Sequence, residues 1–176
     1  MGIDDSPFKK GEKGRTLVVG ILMRGPAVEG VLGSSVEIDG DDSTDIIEAM
    51  ISRSRFHPQV KYILLHSVMM GGLNVVDITE LSQRLKKPVI AIVRRKPDMK
   101  KVHCALSNAC CFEEKLVRLR KAGQPVKVKG LYAQFAGMDR KEAEELLSLW
   151  KGIPEPIRLA HLVAGGVVRG ESRGRA

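Results

Sequence analysis

The hydrophobic pattern changes character near residue 40. Before it, apolar residues come in strand-length blocks. Ile3 stands just ahead of Asp4-Asp5-Ser6-Pro7, so any first strand is expected to end there. Thr16 to Met23 (TLVVGILM) is a nearly continuous apolar run, as in a strand buried on both faces. Gly25 and Pro26 end it, and Val28 to Ile38 predicts a third strand with Gly30 and Gly33 as candidate bulges. Connections this short predict an antiparallel meander.

After residue 40 helical spacing takes over. Asp42 or Ser43 can cap a helix to about Ser54, with Ile46, Ile47, Met50 and Ile51 as its apolar face. Val60 to Leu65 predicts a fourth strand. The Gly71-Gly72 loop leads to a helix over about 75–85, and Pro88 to Val93 is a fully apolar fifth strand. Such alternation predicts parallel pairing through crossover helices. Further along, Cys110 to Ala122 predicts a helix stopped at Gly123, and Val126 to Gln134 one more strand. Asp139 to Trp150 predicts a capped amphipathic helix, and Ile157 to Val168 a last helix behind Pro154 and Pro156. The expected fold class is α/β: a three-strand antiparallel meander, then parallel strands with crossover helices, in one mixed sheet. Residues 1–168 form the expected single domain, and 169–176 (RGESRGRA) a small basic tail.

Composition narrows the function. A length of 176 residues fits one core. Aromatics at 4% leave an aliphatic core and argue against a platform that stacks single-stranded bases. Cys104, Cys110 and Cys111 make no disulfide framework, so a reducing cytoplasm is expected. No apolar run approaches the ~20 residues of a membrane span, so no membrane partner is expected. The net charge of +8 favours a polyanionic partner, nucleic acid being the commonest, although many soluble proteins are basic.

Within this basic chain the acidic residues stand out. Asp4 and Asp5 sit at a strand end, where carboxylates can hold Mg²⁺ or simply form a turn. Glu37-Ile38-Asp39-Gly40-Asp41-Asp42 is dense in charge, either a ligand set or a solvated helix start. His66 ends the fourth strand as a ligand, a base or a core group. Arg158 and His161 share a helix face, where one can hold phosphate and the other orient a water, or both can lie on a plain surface helix. There is no Walker A loop, GxSxG, HExxH or zinc-type Cys/His spacing.

Six stretches carry a resemblance over nearly the whole chain: GIDDSPF (2–8), VEIDGDDST (36–44), GGLNVVDI (71–78), PVIAIVRRKPD (88–98), PEPIRLAHLVA (154–164) and GESRGRA (170–176). On them the chain is identified as a member of the archaeal endonuclease dU family, which is similar to endonuclease V. The resemblance implies a ribonuclease-H-like fold and a Mg²⁺- or Mn²⁺-dependent endonuclease acting on nucleic acid, DNA with uracil or hypoxanthine being the natural substrate class. It implies catalytic roles for Asp4, Asp42 and His161 and a metal set of Asp4, Asp42 and His66, the last standing where endonuclease V has an Asp. Arg158 is the expected substrate contact; Asp5, Asp39, Asp41 and Asp77 are fallback ligands. A nucleic-acid-binding module without catalysis is the alternative. A scaffold that binds no nucleic acid is a third reading.

Overall fold

The computed structural model describes residues 1–107 and 109–173; the last three residues of the expected tail lie outside them. Its strands are β1 (Gly2–Asp5), β2 (Arg15–Arg24), β3 (Ala27–Glu37), β4 (Ile63–Leu65), β5 (Met69–Met70), β6 (Asn74–Val75), β7 (Val89–Val93), β8 (Val126–Val128) and β9 (Leu131–Ala136). Its helices are α1 (Ser43–Ser52), α2 (Ile78–Leu85), α3 (Met99–Leu106), α4 (Phe112–Ala122), α5 (Arg140–Ser148) and α6 (Glu155–Arg169). Seven strands form one sheet in the order β3-β2-β1-β4-β7-β9-β8. The first three are antiparallel, β1, β4 and β7 run parallel, and β9 and β8 return antiparallel. This is the expected mixed sheet.

Local differences have local causes. The first strand runs to Asp5, because Asp4 and Asp5 pair in register with Val19 and Val18. The bulge falls at Leu22/Met23, opposite Gly30 and Val28, while Gly33 pairs regularly with Val19. Val75 closes a short hairpin with Met69, so α2 starts three residues later, capped by Asp77 through Glu80 N at 2.9 Å. The stretch at 126–136 is a hairpin and not one strand, turning at Lys129 and Gly130 with φ of 49° and 85°. The sequence pattern missed α3, which Asp98 caps through Lys100 N and Lys101 N.

Packing follows the strand alternation. Ile3, Ile63 and Leu65 face one core with Ile47 and Ile51 of α1 and Leu81 of α2. On the other face Leu64 and Ile90 meet Leu146, Leu147 and Ile157, while Val19 and Ile21 meet Ala160 and Ala164. Helix α6 lies very close to β1: a Cβ on Gly2 would stand 2.3 Å from Pro156 C. Glycine at position 2 is therefore what lets α6 seat on the central strand. No helix among the described residues is long and apolar enough to cross a membrane.

Candidate metal centre

The close approach at Gly2 sets the height of the site. From Gly2 to Asp4 the strand advances about 6.6 Å. From Ile157 to His161 the helix advances about 6 Å. The two residues therefore arrive together. Next to β1, β4 pairs Leu65 with Ile3, and His66 N donates to Ile3 O at 3.1 Å. By alternation His66 shares the face of Leu64, Asp4 and α6.

Asp4, His66 and His161 thus converge, with ligand atoms all within 4.8 Å of one another. Asp4 Oδ2 is the hub, 2.9 Å from His161 Nδ1 and 3.0 Å from His66 Nδ1. Asp4 Oδ1 accepts from Asp5 N at 3.0 Å. The two rings meet edge to face, with centroids 5.9 Å apart. Asp4 is only 3% exposed, while both imidazoles are half-buried.

Burial pushes the Asp4 carboxyl up, but hydrogen bonds from His161 and His66 and their charge outweigh it and hold it below its usual range. The bond to Asp4 raises the His161 pKa against its own desolvation. Asp5 points to the opposite face, where Oδ2 accepts from Gly71 N at 3.0 Å. Burial and then the neighbouring Asp4 charge raise its pKa to about 6.

One carboxylate oxygen facing two imidazole nitrogens needs positive charge between them, carried by protons or by a cation. The spacing suits either. Ligands about 3.0 Å apart span an octahedron edge for metal–ligand bonds of about 2.1 Å. Two imidazoles and a carboxylate suit Mn²⁺, Fe²⁺ or Zn²⁺ better than Mg²⁺, which favours an all-oxygen shell. The residues present therefore fit a divalent cation.

The other expected site residues are placed elsewhere. Asp42 lies outside this group. Its Oδ1 accepts from Glu37 N at 3.0 Å and Asn74 Nδ2 at 2.8 Å, and its Oδ2 from Arg15 at 2.8 Å. Burial works upward on its carboxyl, but these bonds prevail and keep its pKa low. Nor does its side chain cap α1; Asn74 Oδ1 takes Ser43 N at 3.1 Å instead. Asp39 Oδ1 accepts from Leu73 N, Asp41 is held by both arms of Arg118, and buried Asp77 pairs with Lys121 at 2.9 Å. Arg158 is bonded to Glu155 on its own helix. Sequence reasoning missed the roles of Gly2 and of the buried amide Asn74, although both lie in stretches that carry the resemblance.

Comparison with known proteins adds the following. A family model described as Endonuclease dU matches residues 1–168. A UPF0215 protein from Archaeoglobus fulgidus is 41% identical over 179 residues, covering 100% of this chain and 97% of the relative. The crystal structure of a protein of unknown function from the same organism superposes with a TM-score of 0.88 at 38% identity, covering 98% of this chain and 97% of that one. The catalytic domain of human endonuclease V shares the fold at a TM-score of 0.57 and 16% identity, covering 96% and 81%. So does Ciona intestinalis endonuclease V in complex with a DNA 24-mer containing an inosine followed by a ribo-adenosine, at 0.51 and 12%, covering 90% and 81%.

Proposed function

The chain belongs to the endonuclease dU family, and from that premise we propose that it is a divalent-cation-dependent endonuclease whose centre is Asp4, His66 and His161. The observation that carries this reading is their convergence at the carboxyl end of the central parallel strands, where open α/β sheets hold ligands. A cation held there supplies Lewis-acid polarisation of a phosphodiester oxygen.

The chain's own residues do the rest. Asp4 brings the fixed negative charge. His66 and His161 offer Nδ1 lone pairs once deprotonated. Asp5 adds a second anion above about pH 6. Around this acidic centre the rim is basic: exposed Arg94, Arg95 and Lys96 follow β7, the parallel neighbour of β4, and exposed Lys9 and Lys10 follow β1. Such a rim attracts the phosphate backbone and makes binding fall steeply with salt. The partner is nucleic acid, and deaminated DNA is the substrate class to try first, by analogy with the inosine-containing complex of endonuclease V.

The test is cleavage of uracil- and hypoxanthine-containing oligonucleotides with Mn²⁺, with Mg²⁺ and with chelator. Product is expected with Mn²⁺ above Mg²⁺, none with chelator, and none from Asp4→Asn. Equal cutting by Asp4→Asn would remove the centre. A second reading is a binding module without catalysis, favoured by His66 standing where endonuclease V has an Asp. Salt-sensitive, cation-independent binding with no product would select it.

A further inference from the structure

The chain has four Phe, two Tyr and one Trp. Phe56, Tyr62, Phe112, Phe135 and Trp150 pack against a core cluster. Tyr132 sits in β9, paired with Val93 on one side and Lys127 on the other. Phe8 joins no core cluster among the described residues, and it follows β1 directly. It lies four residues beyond Asp4, so at most about 14 Å separates their Cα atoms. A strand lying over the centre covers that span with about four nucleotides. Ser6 and Thr16 pin the stem of the loop: Ser6 N donates to Leu17 O at 2.7 Å, Thr16 Oγ1 to Ser6 O at 3.0 Å, and the two hydroxyls meet at 2.8 Å. Beyond the ring, Lys9 N donates to Glu12 Oε2 at 2.7 Å and Glu12 N returns to Lys9 O at 3.0 Å. Phe8 is thus carried on a short, braced segment. Its tip rests on backbone, since a Cβ on Gly72 would stand 3.3 Å from Phe8 Cζ. Gly71, next to it, donates to Asp5, so ring, glycine loop and first strand are joined. The ring is half-buried, and Lys9 and Lys10 after it are exposed.

We propose that Phe8 stacks on one base of the substrate strand and so sets which nucleotide lies over the metal centre. This rests on the endonuclease reading. An aromatic ring accepts the face of any base, and the contact is strongest where the ring is already held in place. One ring serves one base, which agrees with a chain too poor in aromatics for a platform. Exposed Lys9 and Lys10 attract the neighbouring phosphates, so charge draws the strand in and the ring fixes its register. The plain alternative is a hydrophobic cover over Gly72. A leucine fills that role as well as phenylalanine does, whereas an aliphatic side chain has no π-face to offer a base.

The experiment pairs Phe8→Leu with abasic oligonucleotides, in the full chain, with chelator to prevent cutting and ~50 mM salt to strengthen phosphate contacts. The probe is a uracil-containing single strand, read by fluorescence anisotropy. Phe8→Leu is expected to bind it about tenfold more weakly, with an unchanged melting temperature. Removing one base at a time should weaken the parent about tenfold at one position, and should not weaken Phe8→Leu at that position. Phe8→Tyr is expected to restore both effects. A mere cover over Gly72 gives no such coupling between side chain and base. A folded Phe8→Leu with parental affinity would overturn the stacking, as would equal abasic losses in both proteins at every position. Should Phe8→Leu fail to fold, Phe8→Trp in a Trp150→Phe background reports the same contact. Its fluorescence should be quenched by the intact strand and not by the strand lacking that base; no quenching by either overturns the proposal. Cleavage is scored separately with Mn²⁺. Product without coupling keeps the nuclease and removes the stacking. Coupling without product keeps the stacking and leaves a binding module. A parent that binds no oligonucleotide removes both.

Discussion

Residues 37–42 and residues 4–5 are both dense in carboxylates, and the fold treats them in opposite ways. In the first stretch each aspartate is answered by the protein's own donors: Asp39 by Leu73 N, Asp41 by Arg118, Asp42 by Arg15, Asn74 and Glu37 N. A guanidinium keeps its charge at any working pH, so Asp41 and Asp42 are neutralised without help. At Asp4 and Asp5 no Arg or Lys ion pair forms among the described residues; the partners are two imidazoles and two peptide N–H groups, those of Asp5 and Gly71. Their neutralisation depends on protons or a metal. A run of acidic letters is thus weak notice of a cation site. What matters is whether the fold brings a permanent cation to it.

The largest test of this contrast is a pair of isosteric changes. Asp4→Asn should lower Mn²⁺ affinity by about 100-fold or more, beyond the range for outer-shell losses, and cleavage with it. Asp42→Asn should leave affinity within about twofold, its cost appearing in stability. Calorimetry on both proteins decides. A folded Asp42→Asn that no longer binds Mn²⁺ would erase the distinction between the two regions.

Next comes pH. Each imidazole must give up its Nδ1 proton to ligate, and the raised His161 pKa makes that proton a competitor. Asp5 gains its charge near pH 6. Mn²⁺ affinity should therefore climb by about tenfold or more from pH 5.5 to 7.5, since displacing one bound proton gives up to tenfold per unit. A flat profile would mean the rings are already neutral and that Asp4 alone sets the charge. The loop supplies the matching structural test. Arg118→Ala should cost about 1–3 kcal/mol in urea unfolding, a charge-assisted pair lost, with Mn²⁺ affinity unchanged.

The sequence carried the antiparallel meander and the parallel strands after it because apolar blocks and short connections restrict topology strongly, but not the antiparallel return of β9 and β8. Asp4, His66 and His161 were each visible as residues at element ends, but only the resemblance, and no local pattern, grouped them, with Asp42, at one centre. Their meeting depends on the β1–β4 register and on Gly2 admitting α6, neither of which leaves a local pattern. Asp42 came forward from its acidic neighbours and the resemblance, and the partners that hold it were not legible because they are remote: Arg15 lies 27 residues away and Asn74 32. Helix α3 was hidden for a different reason. Its apolar face is thin, only Leu106 being buried, so the cap at Asp98 was the better signal.

The finest probe of the contrast is Asp5, which stands between the two treatments. Its folded pKa, about 6, lies above its ordinary 3.8, so the folded empty protein holds a proton that the unfolded chain releases. That stability is complete below about pH 4 and drains as pH rises to about 6. Asp5→Asn keeps an oxygen for Gly71 N and removes the repulsion with Asp4. In metal-free protein the variant should gain about 1–2 kcal/mol over the parent at pH 7, after discount for partial exposure, and almost nothing at pH 4. With Mn²⁺ present the order should narrow or reverse, because the cation now rewards the charge that Asn lacks. Urea titrations at both pH values, with and without Mn²⁺, read all four corners. If parent and variant run together throughout, Asp5 is as fully answered by its surroundings as Asp41 is by Arg118, and the exceptional carboxylate of this fold is Asp4 alone.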